Sequence, residues 1–140
     1  MALKFPVKPR TILLCDYSLG GFRAPEMVKR RPAVVIAGRL PRRDNLHTVV
    51  PLSGTPSDPR NLYQCEIELA APLPAPFDET RWWVKADMIA TVSLARLELF
   101  RTSRDQFGQR KYLSGLAVSE EQFALIMSAV RHALGMPVDK

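Results

Sequence analysis

Apolar residues along this chain cluster first in runs of strand length and only at the end at helical spacing. "RTILLCDY" (10–17), "PAVVIAG" (32–38) and "LHTVVPLS" (46–53) are short aliphatic runs, and "SLGG" after the first supplies glycines for a turn. Pro41 and "RRDN" mark a hairpin-like link between the second and third. "LYQCEIEL" (62–69) alternates, setting Tyr63, Cys65, Ile67 and Leu69 against Gln64, Glu66 and Glu68, which predicts a half-exposed strand. "AAPLPAPF" (70–77) carries three prolines, which supply no ladder donors, and is an extended connector. "RWWVKADMIATVSLARLELF" (81–100) predicts a strand through Lys85; beyond that, two strands around Asp87 and a strand followed by a short helix both fit.

The last element has the clearest punctuation. Ser119 with Gln122 forms a capping box, Phe123, Ile126, Met127, Val130 and Leu134 fall on one stripe, Arg131 and His132 occupy the last turn, and Gly135 and Pro137 end the helix. Such a helix needs an apolar surface, and a strand-rich chain of this size has one sheet to offer. The predicted fold is therefore mostly β (α+β). It is a strongly bent sheet or barrel over about 10–115 with the helix of about 119–134 laid on it, in a single domain spanning 1–140.

Composition adds bounds. With 140 residues, 46% of them hydrophobic, the chain can bury a core without a disulfide or a metal. Cys15 and Cys65 sit in apolar strands, not at CxxC spacing, and read as two buried thiols. Lys4, Pro6, Lys8 and Pro9 interrupt any signal-like apolar run, and no window suits a membrane span, so a soluble, cytoplasmic protein is expected, with no membrane partner.

Charge is informative through its distribution. The net +6 equals the balance of one segment, 23–43, where Arg23, Lys29, Arg30, Arg31, Arg39, Arg42 and Arg43 stand against Glu26 alone. This predicts one basic face, suited to RNA, DNA or another polyanion, or else simply a solvated surface. Arg31 precedes Pro32, and a residue before proline is steered to extended geometry, so the guanidinium is held at a strand entrance. Its rigid fork suits phosphate; an ion pair with Glu26 or Asp44 is the alternative.

"PEMVKRRPAVVIAG", then "LHTVVPLSGTP", then "WVKADMIATVSLARL" resembles, in that order, the PemK/MazF toxins of bacterial toxin–antitoxin modules. The resemblance covers roughly residues 10–100. It implies an SH3-like β-barrel, a homodimer, an antitoxin partner, and sequence-selective cleavage of single-stranded RNA with neither metal nor other cofactor. Residue by residue, it implies that Arg31 is the catalytic arginine, Ser53 the hydroxyl ending the third strand, and Asp87 the acidic residue near the site. Lys85 stands where one branch has arginine, and Glu26 is a positional stand-in for the acidic loop residue. Met88 and Ala90 replace a Gln and an Arg common in the family.

RNA cleavage by its own 2′-OH requires a base, an acid and stabilisation of phosphorane charge. Arg31 and Ser53 suit the last of these, Asp87 a positioning or proton-relay role, and Glu26 an acid–base role. His132 is accounted for by the helix C-terminus, and His47, about 20 Å of extended strand from Ser53, reads as a strand-edge residue. Of Trp82 and Trp83, one indole belongs in the core and the other is free to stack a base. The predicted RNA-binding set is Arg23, Lys29, Arg30, Arg42, Arg43, Lys85 and Trp83. Two rival readings use the same residues: a catalytically silent SH3-like module binding RNA or protein, and a topoisomerase-poisoning toxin of the same fold group.

Overall fold

A computed structural model describes residues 2–137, apart from the side chains of Ser103 and Arg110. The aliphatic runs form β1 (Ile12–Asp16), β2 (Arg30–Ala37) and β3 (Leu46–Ser53), followed by β4 (Cys65–Glu68) and β5 (Arg81–Val84). The ambiguous segment resolves into strands and single turns. A 3₁₀ turn (Ala86–Met88) leads to β6 (Ala90–Ser93), and a second (Leu94–Arg96) leads to β7 (Leu97–Glu98). A hairpin that the sequence pattern left unassigned, β8 (Phe100–Arg104) with β9 (Arg110–Leu113), precedes the helix α1 (Glu120–Ala133).

The main sheet runs β4-β5-β3-β2-β1-β7, with β6 also on β3, so the path stays open rather than closing into a full barrel. β3 is the hub. Its first half pairs with β6 (Leu46↔Ser93 to Val49↔Ala90) and its end pairs with β5 (Leu52↔Val84, Ser53↔Trp83), while β2 lies along its other edge. One strand thereby serves two neighbours at different levels, which requires a strong bend. An irregularity between Val35 and Ala37 in β2 accommodates it.

Alternation along the strands makes two cores. Ile12, Leu14, Val34, Val50, Leu52, Trp82 and Val84 face α1, while Leu13, Cys15, Tyr17, Ala33, Val35 and Val49 face β6, β7 and the loops beside them. The capping box at Ser119 is present, and Gly135 at φ +69 closes the helix, its N–H and that of Met136 reaching the His132 and Arg131 carbonyls. The buried stripe is Ile126, Ala129 and Val130, with Phe123 partly buried. Leu134, expected on the stripe, is 55% exposed because it is already the cap residue leaving the helix.

Cys15 is buried, whereas Cys65 is only half-buried because β4 is the last strand of its path; both are free thiols. Burial pushes each up to about 11. His47 is a core residue, not an edge one. It is 1% exposed, and Nε2 accepts the Val7 N–H at 3.0 Å, which tacks the N-terminal segment onto β3. Burial lowers its pKa, opposed by the backbone of Ala37 and Gly38. The unfolded chain therefore takes up this proton first, so the His47 contribution is complete above the ordinary histidine pKa of about 6.5 and is lost as pH falls below it. Urea unfolding at pH 7.5 and 5.5 should give the lower midpoint at 5.5. An unchanged midpoint, with His47 titrating normally by NMR, would remove this account.

Candidate active site

The chemistry-bearing residues gather where β2 begins and β3 ends. Cys15 pairs with Arg31, and Ala33 pairs with Pro51; continuing that antiparallel register by two residues sets Arg31 level with Ser53. Ser53 in turn pairs with Trp83, and Trp83 with Glu66. Directly opposed residues share a face with Cβ atoms about 5 Å apart. Ser53 and Trp83 are thus a cross-strand pair, and Arg31, two residues beyond the last β2–β3 pair, continues the row on the same face, whose inner end is closed by β6 and β7.

Each member is held differently. Arg31 is half-buried, and its Nε has no hydrogen-bond partner among the described residues, so the expected alternative of an ion pair with Glu26 or Asp44 is not found there. Ser53 is 7% exposed and its Oγ accepts the Thr55 N–H at 3.0 Å, leaving the hydroxyl hydrogen free to donate. Trp82 goes into the core, donating Nε1–H to the Glu79 carbonyl, and Trp83 stays half-exposed. Of the two indoles, Trp83 is the accessible one.

Beside the row lies a polar chain. Lys85 donates from Nζ to Ser57 Oγ at 2.7 Å and reaches Gln64 Oε1 at 3.5 Å, while Gln64 Nε2 donates to Asp87 Oδ1 at 2.9 Å. Desolvation draws the Lys85 pKa below the ordinary lysine value, with the Asp87 charge opposing it. Sequence reasoning missed Gln64 and Ser57. Gln64 falls just before β4, on the polar side of an alternating sequence run, where nothing local distinguishes a solvated amide from one bonded across 23 residues.

A groove of about 470 Å³ opens between the β1–β2 loop (Tyr17, Phe22, Pro25–Met27) and residues 87–90. Glu26 and Asp87 both line it. The loop wall is fixed by Arg96, another residue the sequence did not single out. Its guanidinium donates to the carbonyls of Asp16 (3.2 Å), Leu19 (2.8 Å) and Gly20 (2.6 Å) and lies 4.6 Å from the Phe22 ring centroid. Gly21, at φ +106, provides the backbone turn beneath it. Arg96→Ala should free this wall, speeding proteolytic nicking within 17–29 several-fold while global unfolding shifts by about 1–3 kcal/mol. Equal nicking rates would show that the loop holds itself.

The predicted single basic face is not what forms. Arg23, Lys29 and Arg30 stand at the entrance of β2, whereas Arg39, Arg42 and Arg43 stand at the β2–β3 turn, with about 20 Å of strand between the groups. Arg30 is moreover ion-paired with Glu98. Lys29 is exposed just before β2, Arg23 is exposed within the β1–β2 loop, and Arg42 and Arg43 are exposed at the far end of β2. Arg81 pairs with Glu66 and Glu68, not with Asp87.

An open, SH3-like barrel with a C-terminal helix defines the fold class, and sequence and structure comparisons place the chain within it. The sequence profile of PemK-like, MazF-like toxins of type II toxin–antitoxin systems matches residues 8–134, and the chain belongs to that family. The Escherichia coli K12 protein YifN, itself uncharacterized, is 31% identical over 78% of this chain and 83% of its own length. Among solved structures, a mycobacterial endoribonuclease in complex with its cognate antitoxin superposes with a TM-score of 0.62 at 19% identity, covering 95% of this chain and 99% of that one. The Mycobacterium tuberculosis toxin MazF-mt6 gives 0.56 at 14% identity (94% and 100% covered), and MazF from Deinococcus radiodurans 0.59 at 15% (93% and 97%). At these identities the structural likeness establishes the fold.

Proposed function

We propose that the protein is a toxin that cleaves single-stranded RNA at selected sequences, without a metal, and that a cognate antitoxin restrains it. The observation that carries this reading is the cross-strand row, which sets an arginine whose Nε lacks a partner among the described residues beside a hydroxyl free to donate, with an indole next in line. A backbone phosphate seated there meets Arg31 on one side and Ser53 on the other, and a neighbouring base stacks on Trp83. The adjacent 2′-oxygen attacks phosphorus, the bond to the 5′-oxygen breaks, and the products are a 2′,3′-cyclic phosphate and a free 5′-hydroxyl. Arg31 stabilises the extra charge of the pentavalent state, and Ser53 orients a non-bridging oxygen. Asp87, oriented by the amide of Gln64, acts as a positioning or proton-relay group, its other carboxylate oxygen passing the proton from the 2′-hydroxyl.

The family relationship supports this reading, as does the endoribonuclease described for structural neighbours. The antitoxin partner is proposed because one neighbour is held by its own. A homodimer acting in the cytoplasm completes the proposal, and among the described residues no helix is long and apolar enough to cross a membrane. Incubation of the pure protein with single-stranded RNA in excess chelator tests it. Fragments ending in 2′,3′-cyclic phosphate are expected. Binding without scission would favour the silent module, and indifference to RNA would point to a protein target such as a topoisomerase.

A further inference from the structure

We infer that the groove between the β1–β2 loop and residues 87–90 is a base-reading pocket for a nucleobase carrying an exocyclic amine, with Glu26 as the reader. The inference rests on the RNA substrate proposed above and adds which bases that substrate must contain.

The lining sets the ligand's character. Phe22, Met27, Met88 and Ile89 make the walls largely apolar, which suits the faces of a flat aromatic ring and not a phosphate. The volume of about 470 Å³ lies within the range of small-ligand sites. The charges point the same way. The groove holds two carboxylates and no cation, so a phosphate would be repelled, whereas a base edge offering N–H donors finds acceptors. Glu26 is exposed, with no hydrogen bond or ion pair from its carboxylate among the described residues, and its backbone N–H is tied to the Arg23 carbonyl at 2.8 Å. The carboxylate is thus held at the rim with its acceptors open. Asp87 already accepts from Gln64 through Oδ1, so it is the lesser acceptor.

The bottom of the groove carries a second mark of a ligand. Tyr17 lines it, is 1% exposed, and its hydroxyl finds no hydrogen-bond partner of good geometry among the described residues, the Cys15 thiol being its polar neighbour. A buried hydroxyl left in this way costs stability unless something completes it. A ring nitrogen or carbonyl at the far edge of a base would do so. The wall is also built to persist: the Arg96 contacts to three carbonyls and to Phe22 hold it before any ligand arrives.

Uracil presents a single ring N–H between two carbonyls, and those carbonyls would face the Glu26 carboxylate. Adenine and cytosine present an amine. Guanine presents an amine and a ring N–H side by side, matching both oxygens of one carboxylate, and should be the best fit.

The test uses oligonucleotides identical except at one position near the cut, in chelator, with both cleavage and binding of fluorescent strands followed. Parent protein should favour guanine at one position, and replacing it by inosine, which lacks the amine, should reduce cleavage about 5- to 150-fold. Glu26→Gln should erase that discrimination, read within the variant as equal binding and equal relative cleavage of the guanine and inosine strands, whatever its absolute rate. Unchanged base preference in Glu26→Gln, or a parent that favours uracil throughout, would overturn the pocket while leaving the nuclease reading intact. Conversely, guanine-dependent binding that Glu26→Gln abolishes, without scission by the parent, would support the pocket and defeat the nuclease reading. Neither cleavage nor base-dependent binding would overturn both.

Discussion

Arg31→Ala should cut RNA 100- to 1000-fold more slowly than the parent while unfolding at nearly the same urea concentration. The size follows from removing one preorganised donor to developing charge, about 3–4 kcal/mol of barrier. The preserved stability follows from position. Arg31 is half-buried at the start of β2, its Nε makes no hydrogen bond among the described residues, and the Arg31 backbone stays paired with Cys15. Losing this donor removes no hydrogen bond at Nε among the described residues and frees a desolvated group. Arg31→Lys distinguishes charge from geometry: a lysine keeps the charge but not the fork, and should recover only part of the rate. The measurement is single-turnover cleavage in chelator beside a urea titration. Parent-like cleavage by the alanine variant would remove Arg31 from the mechanism, and with it the phosphate socket. A variant that failed to fold would instead assign Arg31 a structural role and contradict the argument from its unpaired Nε.

Much of this site was legible because it depends on local rules. Pro32 fixes the residue before it as extended, aliphatic runs mark β2 and β3, and these place Arg31 and Ser53 at strand ends without any tertiary information. Trp82 and Trp83 had to point oppositely, and they do. What escaped was set by pairing at a distance. Whether the cations of 23–43 converge depends on the length of β2, which separates them into two groups. The span after Lys85 has helical and strand periodicities overlaid because it is two short strands interrupted by two single 3₁₀ turns, each too brief to establish a period. Arg96 looked like any cation in an amphipathic stretch, and its use emerges only when the loop 76–80 residues earlier folds back onto it. His47 was misplaced for the same reason: the segment around Val7 that covers it lies 40 residues away.

The helix carries the second large effect, on stability. Ile126→Ala should lower unfolding free energy by about 2–5 kcal/mol, the range for emptying a buried aliphatic site, against a typical domain total of about 5–15 kcal/mol. Ile126 is fully buried in the core that α1 shares with β1, β2, β3 and β5, so the deleted atoms leave a space that several elements would have to close together. Leu125, one residue earlier and 54% exposed, is the internal control, and Leu125→Ala should cost within about 0.5 kcal/mol in a monomer. The pair also separates sealing the barrel from pairing protomers. If Leu125 lies in a dimer face, the deficit of its alanine variant should be largest at high protein concentration and shrink on dilution as the parent also dissociates, whereas the Ile126 deficit should persist at both concentrations. Urea titrations of both variants at two concentrations a hundredfold apart decide it. A parent-like midpoint for Ile126→Ala would mean that α1 does not close this core. A deficit for Leu125→Ala that is present at the high concentration and shrinks on dilution would make the outward side of the same helix the contact between protomers.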